Sequence, residues 1–191
     1  MKGHGWLVLA VWMGTAAVSF GGQDPITIVV LNAAGAGDVG DAITMASRIF
    51  QRVGVETSWS VCRRYEDCNF PQDRRYVRMS VIPHATGKVL GFANTDSAAI
   101  GRPQGYAYYG PVSRLAKSTG NPTSVVLSCV MVHEILHLFG LEHAPHGLMR
   151  EALDSQDLIN ATHGPALLPI QVKQLHCGLA QLNAMQLAAA R

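Results

Sequence analysis

Hydrophobic and polar positions follow two rhythms along this chain, one of period two and one near 3.6, and the switches between them mark its elements. Ile26 to Leu31 is a β-branched run, Ile-Thr-Ile-Val-Val, too continuous for a half-exposed strand and expected in the middle of a sheet. From Asp38 to Val53 the period lengthens: Val39, Ile43, Ala46, Phe50 and Val53 form one apolar stripe of an amphipathic helix, and Gly54 ends it. Val55 to Cys62 returns to alternation, with Val55, Thr57, Trp59 and Val61 on one face. A polar loop, Arg63 to Arg75, leads to a third strand, Tyr76 to Pro83. Residues 89–94 and 105–113 read as two short strands around a loop from Thr95 to Gln104. Asn121 as N-cap and Pro122 at the first helical position then open a helix running to about Phe139. Residues 150–166 read as an irregular connection. Pro169 opens a last helix striped by Val172, Leu175, Leu179 and Leu182. The pattern is α/β, with five strands and three main helices.

Length and charge narrow the options. The chain has 191 residues, enough for one domain with a sizeable core. A net charge of +2 gives no reason to expect nucleic acid or a membrane surface as partner. Hydrophobic residues make up 48%, and part of that excess lies at the start. There Lys2 and the terminal amine precede an apolar run from Trp6 to Phe20, shorter than the ~20 residues of a comfortable membrane span. Residues 1–22 are expected to be a signal peptide and residues 23–191 a single domain, secreted or periplasmic, with no stable membrane span after cleavage. The first strand follows so closely that no room is left for a propeptide.

Export gives the four cysteines a context in which disulfides persist. The five residues between Cys62 and Cys68 make a short charged loop that a disulfide closes easily. Cys129 and Cys177 then pair by default, although both sit in apolar helical stripes where buried free thiols are common.

The candidate chemistry lies at the end of the second long helix. Residues 133–143 read H-E-x-x-H-x-x-G-x-x-H. His133 and His137, four apart, project from one helix face, so that both imidazoles can share one zinc ion. Glu134 is placed to act as general base on a metal-bound water. Gly140 can take the left-handed conformation that ends the helix and returns His143 as third ligand. A fourth position left to water separates a catalytic zinc from a structural one. Glu151 is the nearest rival third ligand but fits less well than His143, and His146 reads as a loop histidine.

This motif, with Leu148-Met149 following it, resembles the metzincin clan of zinc endopeptidases, and the wording His-Leu-Phe-Gly-Leu-Glu-His resembles its matrixin branch. The loop from His143 to Met149 is shorter than in matrixins, no Ser follows His143, and no Pro-x-Tyr follows Met149. The resemblance implies a mixed, mostly parallel five-stranded sheet with zinc in a cleft. It assigns the metal to His133, His137 and His143, the base to Glu134, and a hydrophobic floor under one catalytic zinc ion to Met149. It further implies a peptide or protein substrate lying extended beside an edge strand near Leu90 to Asn94, with a specificity pocket formed near Met149 and the loop after it. The chain is then an exported endopeptidase, expected to be monomeric, without the cysteine-switch latency of matrixins. Tyr108 and Tyr109, possible oxyanion partners, read as packing residues. The alternative from a different class is a secreted zinc-binding module without turnover, against which stands an intact Glu134 that metal binding alone does not need.

A second motif competes. Residues 35–40 read G-x-G-x-x-G between a strand and a helix, with Glu56 at a distance suited to a ribose contact. A single such unit in an exported chain is better read as a glycine-rich turn with Asp38 capping the following helix.

Overall fold

The computed structural model describes residues 25–71, 76–84, 89–95 and 103–189. The expected signal peptide lies outside these residues, as does most of the loop expected between residues 95 and 104. Five strands form one open sheet: β1 (Ile26–Asn32), β2 (Thr57–Cys62), β3 (Tyr76–Ile82), β4 (Gly91–Asn94) and β5 (Gln104–Tyr108). Their order is β2-β1-β3-β5-β4, with every neighbouring pair parallel except β4 and β5. The mixed, mostly parallel five-stranded sheet expected from the sequence is therefore present.

The continuous apolar run of β1 has the reason anticipated for it. β1 is held between β2 and β3, and Ile28, Val29 and Val30 are all but fully buried although they alternate in facing. One sheet face carries Ile28, Val30, Val77, Met79, Val81 and Ala107 into the main core. Alternation sends Arg78, Ser80, Gln104 and Tyr106 to the other face, where the Gln104 amide donates to Ser80 at 2.9 Å. β2 is an edge strand, so its stripe is only partly used: Trp59 packs against Phe50, while Val61 stays half exposed. Beyond β2, Cys62 and Cys68 form the expected disulfide across a short turn.

Five helices are present among the described residues: α1 (Val39–Arg52), α2 (Tyr109–Thr119), α3 (Thr123–Leu138), α4 (Ser155–His163) and α5 (Pro169–Ala189). Three of them match the periodicity; α2 and α4 correct it. Residues 105–113 are not one strand. The chain passes from β5 directly into α2 at Tyr109, since Val112, Leu115 and Ala116 supply a helical stripe and Gly120 ends it in the left-handed region. Pro111 is tolerated because the first helical turn leaves its amides unbonded. Residues 150–166 are not irregular throughout either. Asp154 and Asp157 form a reciprocal capping box that starts α4, and Arg52 of α1 donates to the carbonyls of Ala161, Thr162 and Gly164 at its other end.

Helix α3 is the centre of the molecule. Every residue from Val126 to Leu136 is buried, because α1, α2, α4, β4 and β5 pack around it. Its cap differs from the expectation: Pro122 holds the N-cap position, and the Asn121 side chain bonds the Thr119 carbonyl instead. Cys129 faces this interior as a free thiol, whereas Cys177 is a free thiol on the exposed side of α5, so the default second disulfide is not formed. No helix among the described residues is long and apolar enough to cross a membrane.

Candidate metal centre and cleft

His133 and His137 come from the last turn and a half of α3, and His143 from the loop beyond. The loop turns back because Gly140 takes φ of 82°. Its amide bonds the His137 carbonyl at 2.9 Å and the Leu141 amide bonds the Leu136 carbonyl at 3.1 Å, the double closure of a left-handed helix end. The same tightening brings the Leu141 carbonyl to 2.7 Å from His137 Nδ1. His133 Nδ1 finds the Leu148 carbonyl, also at 2.7 Å.

These two contacts decide the chemistry of the cluster. A carbonyl only accepts, so each Nδ1 carries the proton and donates it, and each Nε2 of a neutral ring is left with a lone pair. Burial keeps the rings neutral: it pushes His133 down to about 4 and lowers His137, against the raising effect of the two carbonyls. Yet His137 Nε2 lies 3.0 Å from His133 Nε2 and 3.2 Å from His143 Nε2. The His133 and His137 lone pairs, aimed at one another at 3.0 Å, repel unless an electron-pair acceptor lies between them. Zn–N bonds of ~2.0–2.1 Å at tetrahedral angles would set nitrogens ~3.3–3.4 Å apart, close to what is found. The donor set fits zinc. Among the described residues this is the one group of three whose ligand atoms converge, within 4.8 Å of one another.

Glu134 follows His133 on α3 and is only 6% exposed. Burial pushes its carboxyl up to about 8. Its side chain lies against the backbone of Gly91 on β4 and near Gly105 on β5, two positions where a side chain would crowd it. Met149 is fully buried, and its carbonyl accepts from the Ala144 amide at 2.8 Å. The histidines and Glu134 open onto a cleft of about 970 Å³. Its walls are β4 with the preceding Val89 and Leu90, Pro111 to Ser118 of α2, Val130 of α3, and Arg150 to Leu153. Glu151 therefore lines the cleft but stands outside the histidine cluster, as does His146.

No protein-family profile and no curated protein sequence matches the chain. Solved structures do. A crystal structure of archaemetzincin from Methanopyrus kandleri matches with a TM-score of 0.57 at 14% identity, over 82% of this chain and 96% of that one. A zinc-dependent peptidase from Methanocorpusculum labreanum matches with a TM-score of 0.51 at 12% identity, over 78% of this chain and 99% of that one. This chain shares their fold. The likeness thus runs to an archaemetzincin and a zinc-dependent peptidase, and the matrixin resemblance rests on the wording of the motif alone.

The competing glycine motif has a different role. Asn32 closes the β1–α1 loop by bonding both the carbonyl and the amide of Ala36, at 2.9 and 3.1 Å. Asp38 makes no side-chain cap; its carboxylate accepts from the Tyr109 hydroxyl at 3.1 Å, tying the loop to the start of α2. Sequence reasoning missed the α2 wall of the cleft, the two glycines beside Glu134, and a buried acid, Asp157, whose Oδ1 accepts from the Gly147 amide at 2.9 Å. Only the last had a local signal, the Asp154-x-x-Asp157 spacing of a capping box.

Proposed function

We propose that this chain is an exported, zinc-dependent endopeptidase that hydrolyses peptide bonds with Glu134 as general base. The observation that carries the reading is the convergence of three imidazole Nε2 atoms beside a buried carboxyl group, in a cleft bordered by a sheet edge. His133, His137 and His143 would hold one zinc ion. Bound there, zinc supplies Lewis acidity, which makes water more acidic and a peptide carbonyl more electrophilic.

Glu134 takes the proton of the attacking water and delivers it to the departing amine, so that one carboxylate serves both halves of the reaction. Its burial favours the protonated carboxyl that must form midway. β4 ends the sheet, with β5 on its other side, so that its outer edge can pair with an extended peptide through main-chain hydrogen bonds. Apolar walls from Leu115, Pro111, Val130 and Leu153 favour an apolar substrate side chain beside the histidines. Met149 serves as the hydrophobic floor of the metal site. Residues 1–22 act as the signal peptide and residues 23–191 as one catalytic domain, working as a monomer; the Cys62–Cys68 disulfide supports an oxidising destination.

The test is cleavage of a broad peptide library by zinc-loaded protein. Activity should vanish with a chelator and return with zinc. Glu134→Gln should keep one zinc per chain and lose roughly a hundred- to ten-thousand-fold in rate. Full zinc loading with no cleavage would leave a zinc-binding module without turnover, and an active Glu134→Gln would remove Glu134 from the general-base role.

A further inference from the structure

Asp157 is 4% exposed although it belongs to the first turn of a short helix. Three donors surround its carboxylate. Oδ2 takes the Asp154 amide at 3.2 Å and the Arg150 guanidinium at 3.4 Å, while Oδ1 takes the Gly147 amide at 2.9 Å. Helix capping accounts for the first of these alone. The bond to Gly147 reaches ten residues back, into the turn that contains Met149.

That turn is tight and faces the histidines. Gly147 holds φ of 80°, and the Arg150 amide closes on the Gly147 carbonyl at 3.0 Å. The next carbonyl, that of Leu148, receives His133 Nδ1–H at 2.7 Å. The one after, that of Met149, receives the amide of Ala144, the residue following His143. Two successive carbonyls of one turn therefore orient one histidine and anchor the chain beside another, and the carboxylate of Asp157 holds the amide immediately before them. We propose that Asp157 is a positioning residue for the metal centre, fixing the Gly147–Arg150 turn so that its carbonyls set the tautomer of His133 and the approach of His143. Groups that orient a ligand histidine from behind are commonly worth ten- to a hundredfold in metal affinity. A buried carboxylate bonded to the turn amide at 2.9 Å is a stiff anchor for such a turn. This role rests on the zinc reading of the cluster but needs no peptidase activity.

The experiment measures zinc affinity of the full chain by competition with a chromophoric chelator, together with the imidazole Nδ1–H proton resonance of His133. Asp157→Ala should weaken zinc about tenfold or more and broaden that resonance by exchange. Asp157→Asn keeps the shape but offers one acceptor where three donors point, so it should weaken zinc by a smaller factor while remaining folded. Asp154→Ala removes the other half of the capping box and leaves Gly147 held; it should cost helix stability without changing zinc affinity. Wild-type affinity in a folded Asp157→Asn, or equal losses in Asp154→Ala and Asp157→Ala, would overturn the positioning role. A wild-type chain that binds no zinc would overturn the metal site itself.

Discussion

The Cα of Gly91 faces the carboxylate of Glu134 so closely that a Cβ there would overlap Oε1 and stand 2.8 Å from Cδ. The Tyr106 carbonyl, 2.7 Å from the same point, blocks escape on the other side. Gly91→Ala must therefore displace either the carboxylate or the β4–β5 pairing. Misplacing a reacting group by about 1 Å can cost about a hundredfold. The variant should keep one zinc per chain and lose ten- to a hundredfold in kcat. Gly105→Ala should do less, because its Cβ meets chiefly the flexible Met79 sulfur, at 2.9 Å. Peptide kinetics with zinc analysis on both variants checks the order; equal, small effects would mean that Glu134 does not need this bare strand.

Gly91 also marks where sequence ceases to be informative. The three histidines and Glu134 could be read because their relation is local: one helix turn and one left-handed glycine place them. β1 and α3 were legible for a similar reason, since burial from all sides demands an unbroken apolar run. α2 was hidden because Tyr106, Tyr108 and Tyr109 favour strands as aromatics do, and only the core contacts of Val112 and Ala116 turn the chain helical. The roles of Gly91 and Asp157 depend on elements distant in sequence meeting, and no spacing along the chain announces such a meeting.

Met149 is fully buried, and its backbone, not its sulfur, makes the bond to Ala144. Met149→Ala should therefore open a cavity costing about 2–5 kcal/mol while the turn and its carbonyls stay. Urea unfolding should register the loss, and zinc should remain at one per chain. Zinc lost from a folded variant would make the thioether a ligand.

The free cysteines should differ sharply in reactivity. Burial pushes the Cys129 thiol up to about 12, so at pH 8 its thiolate fraction is on the order of one in ten thousand. Cys177 is exposed. Alkylation of the native protein followed by peptide mapping should modify Cys177 first and Cys129 only on unfolding, with Cys62 and Cys68 recovered as one linked peptide. Rapid native labelling of Cys129 would show that α3 opens to solvent in the native protein.

Acid–base balance at the site predicts how zinc stabilises the fold as pH changes. In chelator-stripped protein His133 titrates near 4, below its ordinary value of 6.5, so the unfolded chain binds the proton first and stability is lost as pH falls from about 6.5 to 4. Glu134 runs the other way. Its carboxyl titrates near 8 rather than 4.5, so its contribution is fully present below about 4.5 and is lost as pH rises through 8. Zinc on the imidazoles replaces the cost of a buried negative charge with an attraction to a cation, and it competes with fewer protons as pH rises. The stabilisation gained on adding zinc should therefore grow from pH 5 to pH 8, by up to a few kcal/mol, seen as a Tm increment several degrees larger at the higher pH. Glu134→Gln removes the ionisable group, so its zinc increment should flatten above about pH 6.5, where burial already keeps His133 and His137 deprotonated. Thermal melts of both proteins with and without zinc test this; an increment independent of pH in the wild type, or one that rises as steeply in Glu134→Gln, would mean that the Glu134 carboxylate does not sense the metal.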